Sequence, residues 1–189
     1  MRTMKIKSMV MWGAVFMLTA GVAQAAHIWE EGYWSKDSNA PKFSSQELQL
    51  DLFGSYISAE GKFNDLFQTN IRHGVWGGGA GLNYFLTREI GIGTDSTISD
   101  FDGNHWHFNN WLGDVYLRVP IGDVVAPYLV ASGGRTITPT WAWTYGGGVG
   151  VDVRFSPKLG FFTDARFLWN HEATSLNTLG FRAGLRVNF

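Results

Sequence analysis

Residues 179–189 alternate without a break: Leu179, Phe181, Ala183, Leu185, Val187 and Phe189 take one parity, and Gly180, Arg182, Gly184, Arg186 and Asn188 the other. A repeat of two residues is extended chain, in which successive side chains point to opposite faces. One face of this strand avoids water, and the other carries two guanidiniums. Such a strand is satisfied only in a sheet whose two faces meet different surroundings, and a slip of one residue would exchange them.

Seven further segments carry the same alternation. Leu48, Leu50, Leu52 and Tyr56 mark the first; Ala80, Leu82 and Tyr84 the second; Ile90, Ile92 and Thr94 the third; Trp111, Val115, Leu117 and Val119 the fourth. The fifth runs from about Val124 to Ser132, where both faces are apolar and the parity stays open. Trp143, Tyr145, Val149, Val151 and Val153 mark the sixth, Phe161, Ala165, Phe167 and Trp169 the seventh, and residues 179–189 the eighth. Each is near the roughly 9–11 residues that a tilted transmembrane strand needs.

The connections alternate too. Leu86 to Glu89, Ile121 to Asp123 and Ser156 to Lys158 are short turns, whereas Ser58 to Gly74, Ser96 to His107, Gly133 to Thr140 and Asn170 to Ser175 are longer loops. Short turns at one end and long loops at the other characterise outer-membrane barrels, and an even strand number puts both termini on the turn side. An internal echo supports the count of eight: Trp76 to Asn83 matches Tyr145 to Asp152 without a gap, and Gly91 falls on Gly160. The offset equals four strands. Neither glycine run opens a helix or continues into Gly-Lys-Ser/Thr, so glycines easing sheet curvature are expected rather than a phosphate loop.

The N-terminal residues read as an export signal. Arg2, Lys5 and Lys7 precede an apolar run from Val10 to Leu18, and Ala23-Gln24-Ala25 offers a small-x-small cleavage site. Residues 1–25 are expected to be a cleaved signal peptide and 26–45 an irregular periplasmic extension whose Trp29, Tyr33 and Trp34 touch the barrel rim. Residues 46–189 are expected to form the barrel. No Cys follows the cleavage site to carry a lipid. Removing residues 1–25 takes three of the 15 basic residues and none of the 16 acidic ones, which leaves a net charge of −4. A nucleic-acid binder would show a basic face instead.

The polar faces separate a membrane barrel from a soluble one. Opposite the apolar stripes stand Asp51, Glu89, Asp114, Arg118, Asp152, Arg154, Asp164, Arg166, Arg182 and Arg186, with both signs in similar number. In a membrane barrel these point inward and pair, while the apolar set meets lipid. A lipocalin-like barrel would put the apolar set inside and the charges in water. Tyr84 and Phe155 near the turns, and Tyr56, Trp76, Trp143, Tyr145 and Trp169 near the loops, form the two aromatic belts that lipid–water interfaces select. The expected fold is therefore all-β, an eight-stranded antiparallel up-and-down transmembrane β-barrel.

Asn83 to Gly93, Pro127-Tyr128-Leu129 and Gly180 to Phe189 together resemble the outer-membrane β-barrel superfamily of small OmpA/OmpX-type proteins, over about Gln46 to Phe189. The resemblance implies a bacterial outer-membrane location, outer-membrane lipid as surroundings, and Phe189 as the residue read by the barrel-assembly machinery. A monomer is expected. The ligand of the loops is left open.

Candidate chemistry is sparse. His105 and His107, after Asp100, Asp102 and Asn104, bring metal-ligand types together but lack the ordered series of a calcium loop; a solvated loop is expected, with no metal or cofactor. Ser96, Asp95 and His73 loosely resemble the groups of lipid A palmitoyltransferases, and His171, Glu172 and Ser175 make a second set without the His-x-Ser-Asn arrangement of deacylases. No catalytic activity is expected. Eight strands enclose an interior that side chains just fill, so the expected role is structural or surface-binding through the long loops. The alternatives are a lipid A-modifying enzyme and a small porin-like channel.

Overall fold

A computed structural model describes residues 42–59, 74–100, 105–138, 141–171 and 177–189. Eight strands follow one another: β1 Glu47–Ala59, β2 Val75–Phe85, β3 Ile90–Asp100, β4 Trp106–Arg118, β5 Val125–Thr136, β6 Ala142–Arg154, β7 Leu159–Asn170 and β8 Thr178–Asn188. Each pairs antiparallel with the next, and β8 closes on β1, with Asp51 opposite Arg186 and Leu52 opposite Leu185. This is the architecture of a transmembrane β-barrel. Closure leaves no unpaired strand edge, the condition for placing a sheet in hydrocarbon.

The strands are 11 to 13 residues long, longer than the alternation of apolar residues suggested. β3 continues to Asp100 and β5 to Thr136, so Ser96 to Asp100 and Gly133 to Thr136 belong to strands and not to loops. Their polar composition looks loop-like in sequence, yet Thr97 and Ser99 face the interior. A polar interior keeps the strand pattern in such residues while weakening its hydrophobic signal.

Turn chemistry fixes the other end. Thr87 Oγ1 accepts from the backbone N–H of Glu89 and Ile90 at 3.2 and 3.0 Å. Ser156 Oγ accepts from Lys158 and Leu159 at 3.3 and 3.0 Å. In both, a hydroxyl stands in for a backbone acceptor and tightens the reversal. Between β4 and β5, Gly122 has φ +66° and the bridge from Ile121 to Val125 closes around it, a conformation that favours glycine. Near the loop end Thr97 pairs with Asn110 but Ile98 with Phe108. The extra Asn109 turns inward, and its Nδ2 donates to Ser99 Oγ at 2.6 Å; a bulge of this kind re-aims a side chain.

The parity of β5 is settled by burial. Ala126, Tyr128, Val130 and Ser132 are buried inside, and Val125, Pro127, Leu129 and Ala131 face out. Both faces are apolar because Tyr128 and Val130 join Phe85 and Tyr116 in an apolar slab within the lumen.

The echoed glycine runs lie on β2 and β6, four strands apart. Their inward members make room for large lumen side chains: a Cβ at Gly79 would strike the Phe53 ring, and one at Gly150 the Tyr128 ring. The same offset also carries Asp95 on β3 onto Asp164 on β7.

Candidate functional site

Among the described residues the lumen is the most organised chemical feature, and parity builds it. At the turn end Glu47, which shares the inward face of β1 with Gln49 and Asp51, accepts from Arg118 Nη2 at 3.1 Å and from Arg154 Nη2 at 2.6 Å. Phe43 is fully buried between those two guanidiniums, 5.0 and 4.8 Å from its ring centre. Arg118 also donates to the Ser44 carbonyl and Arg154 to that of Lys42. Phe43 is therefore a stopper in the turn-side mouth, held there by the backbone contacts of Lys42 and Ser44. Apolar Phe43 follows a basic residue with no alternation around it, so sequence periodicity carries no sign of it.

Exchanging Phe43 for leucine keeps an apolar stopper but removes the ring face under two cations. The expected loss is about 1–2 kcal/mol, read as an earlier midpoint in urea unfolding with an unchanged slope. A midpoint identical to wild type would mean that the cations do not use the ring.

Above this layer Arg186 holds Asp51 with a two-pronged contact at 2.7 Å from both Nε and Nη2, and reaches Asp152 from Nη1 at 2.8 Å. Asn83 Nδ2 donates to Asp51 at 2.8 Å, and Arg154 Nε to Asp152 at 2.9 Å. The next cluster joins five strands. Arg182 on β8 contacts Asp164 from Nε and Nη2 at 2.8 and 2.6 Å and Asp95 from Nη1 at 2.6 Å. Arg166 on β7 reaches Asp114 at 2.9 Å and Asp95 at 3.0 Å. Tyr128 donates to Asp164 at 2.8 Å, Tyr116 to Asp114 at 3.0 Å, and Ser132 to Asp114 at 2.6 Å. At the loop end Thr136 bonds to Thr144 at 2.6 Å, and Thr144 also donates to Asn170. Phe53 and Phe162 meet edge to face at 6.1 Å between the charged layers.

Nine of the ten expected lumen residues take part: Asp51, Asp114, Arg118, Asp152, Arg154, Asp164, Arg166, Arg182 and Arg186 are all buried. Glu89 does not. It lies in the turn before β3, exposed, with its carboxylate accepting from Thr87 Oγ1 at 3.3 Å. It shares the inward parity of β3 but precedes the strand, where parity no longer aims a side chain. Glu47 and Asp95 complete the lumen network and were not expected in it, although both share parity with inward neighbours.

The candidate catalytic residues separate. Asp95 is buried inside against two arginines, whereas Ser96 points out, paired in register with Ala80 and Trp111. His73, Glu172 and Ser175 lie outside the described residues, as do Asp102, Asn104 and the segments 1–25 and 26–41. The His105 and His107 rings stand 6.4 Å apart.

Outward, Trp76, Tyr84, Trp143, Tyr145, Phe155 and Trp169 are exposed and Tyr56 half-exposed, tilted against Trp76 at 5.0 Å. Trp106, Trp111 and Trp141 extend the loop-side ring. Phe189 closes the β1–β8 seam, its N–H donating to the Leu48 carbonyl at 2.8 Å.

No protein-family model matches the chain, and no curated protein matches it. Among solved structures it is similar to Neisserial surface protein A, with 12% identity, 76% of this chain and 96% of that one covered, and a TM-score of 0.50. It is also similar to the N-terminal β-barrel domain of Pseudomonas aeruginosa OprF, at 16% identity, 77% and 99% coverage and TM-score 0.49. Pseudomonas aeruginosa OprH gives 16% identity, 77% and 100% coverage and TM-score 0.49. At such identity the likeness to the Neisserial protein shows the fold alone: a small, closed, eight-stranded antiparallel β-barrel.

Proposed function

We propose that the protein is an integral outer-membrane barrel, monomeric and closed to passive diffusion, that acts as a structural or surface-binding platform through its loop end. The observation that carries this is the inversion of the usual burial order. Arg186 is 1% exposed while its neighbour Leu185 is 53% exposed. A protein in water would reverse that ranking, since arginine is almost never fully buried unless paired and large apolar side chains are the usual core. Hydrocarbon outside and paired charge inside make both residues comfortable. The closed lumen rests on the charged layers and on Phe43, whose side chains are buried inside the described strands.

Membranes washed with alkaline carbonate should retain the protein, and it should require detergent for extraction. Planar-bilayer recordings of the refolded chain should show no steady conductance, because a passage would have to break several buried ion pairs at once. Recovery as a detergent-free soluble monomer would overturn the membrane assignment. A stable open level in the recordings would overturn the closed lumen while leaving the membrane assignment intact.

A further inference from the structure

Among the outward-facing positions of the described strands one residue is basic: Arg135, near the loop end of β5. It stands opposite Trp111 on β4 and Trp143 on β6. Its guanidinium lies 3.7 Å from the Trp143 ring centre and 5.3 Å from that of Trp141. Stacking on indole holds a guanidinium flat and leaves its N–H edge free to donate. Among the described residues no carboxylate or other acceptor takes that edge. The indole N–H of Trp111 is already committed, donating to Thr94 Oγ1 at 2.6 Å, and Arg135 is the cationic donor of this patch.

The place of this cation matters as much as its bareness. A charged side chain on the lipid face is costly at mid-membrane and nearly free at the interface, and tryptophan rings settle at headgroup level. Arg135 is therefore held at the height of lipid headgroups. Below it toward mid-membrane the wall is thin. Gly133 and Ala131 follow on the same face of β5, with Gly113 opposite Gly133 and Gly147 opposite Ala131. A Cβ at Gly133 would meet nothing. Trp111 and Val115 stand on one side of this shallow furrow, Tyr145 and Val149 on the other.

We propose that Arg135, clamped by Trp141 and Trp143, binds the phosphate of a membrane lipid whose acyl chain lies along the Gly133–Ala131 furrow. Guanidinium meets phosphate in a two-pronged, charge-assisted geometry, and the bilayer supplies phosphates at this level without a diffusional search. This inference rests on the membrane assignment, whose failure has its own sign, solubility without detergent.

The test is native mass spectrometry of the full chain in detergent, offered equal amounts of dipalmitoyl phosphatidic acid, dipalmitoyl phosphatidylcholine and dipalmitoylglycerol. One phosphatidic acid should be retained in preference to the glycerol lipid with the same chains. Arg135→Gln should lower its retention about tenfold, the size expected for one charge-assisted contact, with Arg135→Lys in between. Gly133→Leu, which fills the furrow without touching the clamp, should also weaken retention, and millimolar inorganic phosphate should not displace the lipid. A heat-dependent gel shift in each variant reports that the barrel has folded. Unchanged retention in Arg135→Gln would overturn the site. Displacement by inorganic phosphate, together with indifference to Gly133→Leu, would overturn the lipid in favour of a free-anion site.

Discussion

Replacing Arg186 with leucine is expected to destabilise the refolded barrel by about 3–5 kcal/mol, the cost of stranding a buried charge after its partner is removed. Asp51 loses both prongs of its contact and keeps only the Asn83 amide, while Asp152 still holds Arg154. Urea titration of folding into lipid vesicles measures the loss. The double variant Asp51→Asn with Arg186→Leu should recover part of it, since the stranded charge is gone, and the size of that recovery is the coupling between the two groups. A single-variant loss under about 1 kcal/mol would mean that water reaches this layer and that the pair behaves as an exposed one.

One residue earlier the opposite substitution should hurt. Leu185 faces out, opposite Leu52, in the turn-side half of β8. Arginine there should cost about 2–4 kcal/mol if the position lies at mid-membrane. The loss should shrink in detergent micelles, where a headgroup can bend in to meet the charge. Equal cost in micelles and in bilayers of increasing thickness would argue that Leu185 packs against protein. The two variants sit side by side in sequence and exchange the same two residue types, so a barrel turned inside out would reverse both signs.

Alternation made the outward faces of seven strands legible, because lipid favours apolar side chains and the stripe is unbroken in residues such as Leu48, Leu50 and Leu52. The inward face is less readable. Its members need only pair with one another, so Tyr128 and Val130 sit there beside Asp164 and Arg186, and the parity of β5 could not be told from hydrophobicity. Asp95 illustrates the opposite difficulty. Beside Ser96 it suggests a reacting pair, but neighbours in a strand point to opposite faces, and the same period-two rule that found the strand separates them. Glu89 and Phe43 lie beyond strand ends, where no period applies. Glu89 took a turn conformation instead of the lumen, and Phe43 entered a mouth that exists only after eight strands have closed. Arg135 was invisible as a site because its meaning depends on which strands flank it.

The ion pairs across the β1–β8 seam and from β8 to β3 join residues far apart in the chain, with sequence separations of 135 for Asp51 and Arg186 and 87 for Asp95 and Arg182. Bringing such distant groups together carries a loop-closure cost that local contacts do not, and non-local pairing of this kind slows folding. Until β8 docks, Asp51 and Asp95 lack their strongest partners, so the interior of a seven-stranded precursor is acidic and unbalanced. Charge neutralisation and seam closure must then occur as a single late event. Folding should be cooperative and slow, and its rate should respond to Arg182 and Arg186 less than its reversal does, because those contacts form after the barrier if docking is the last step.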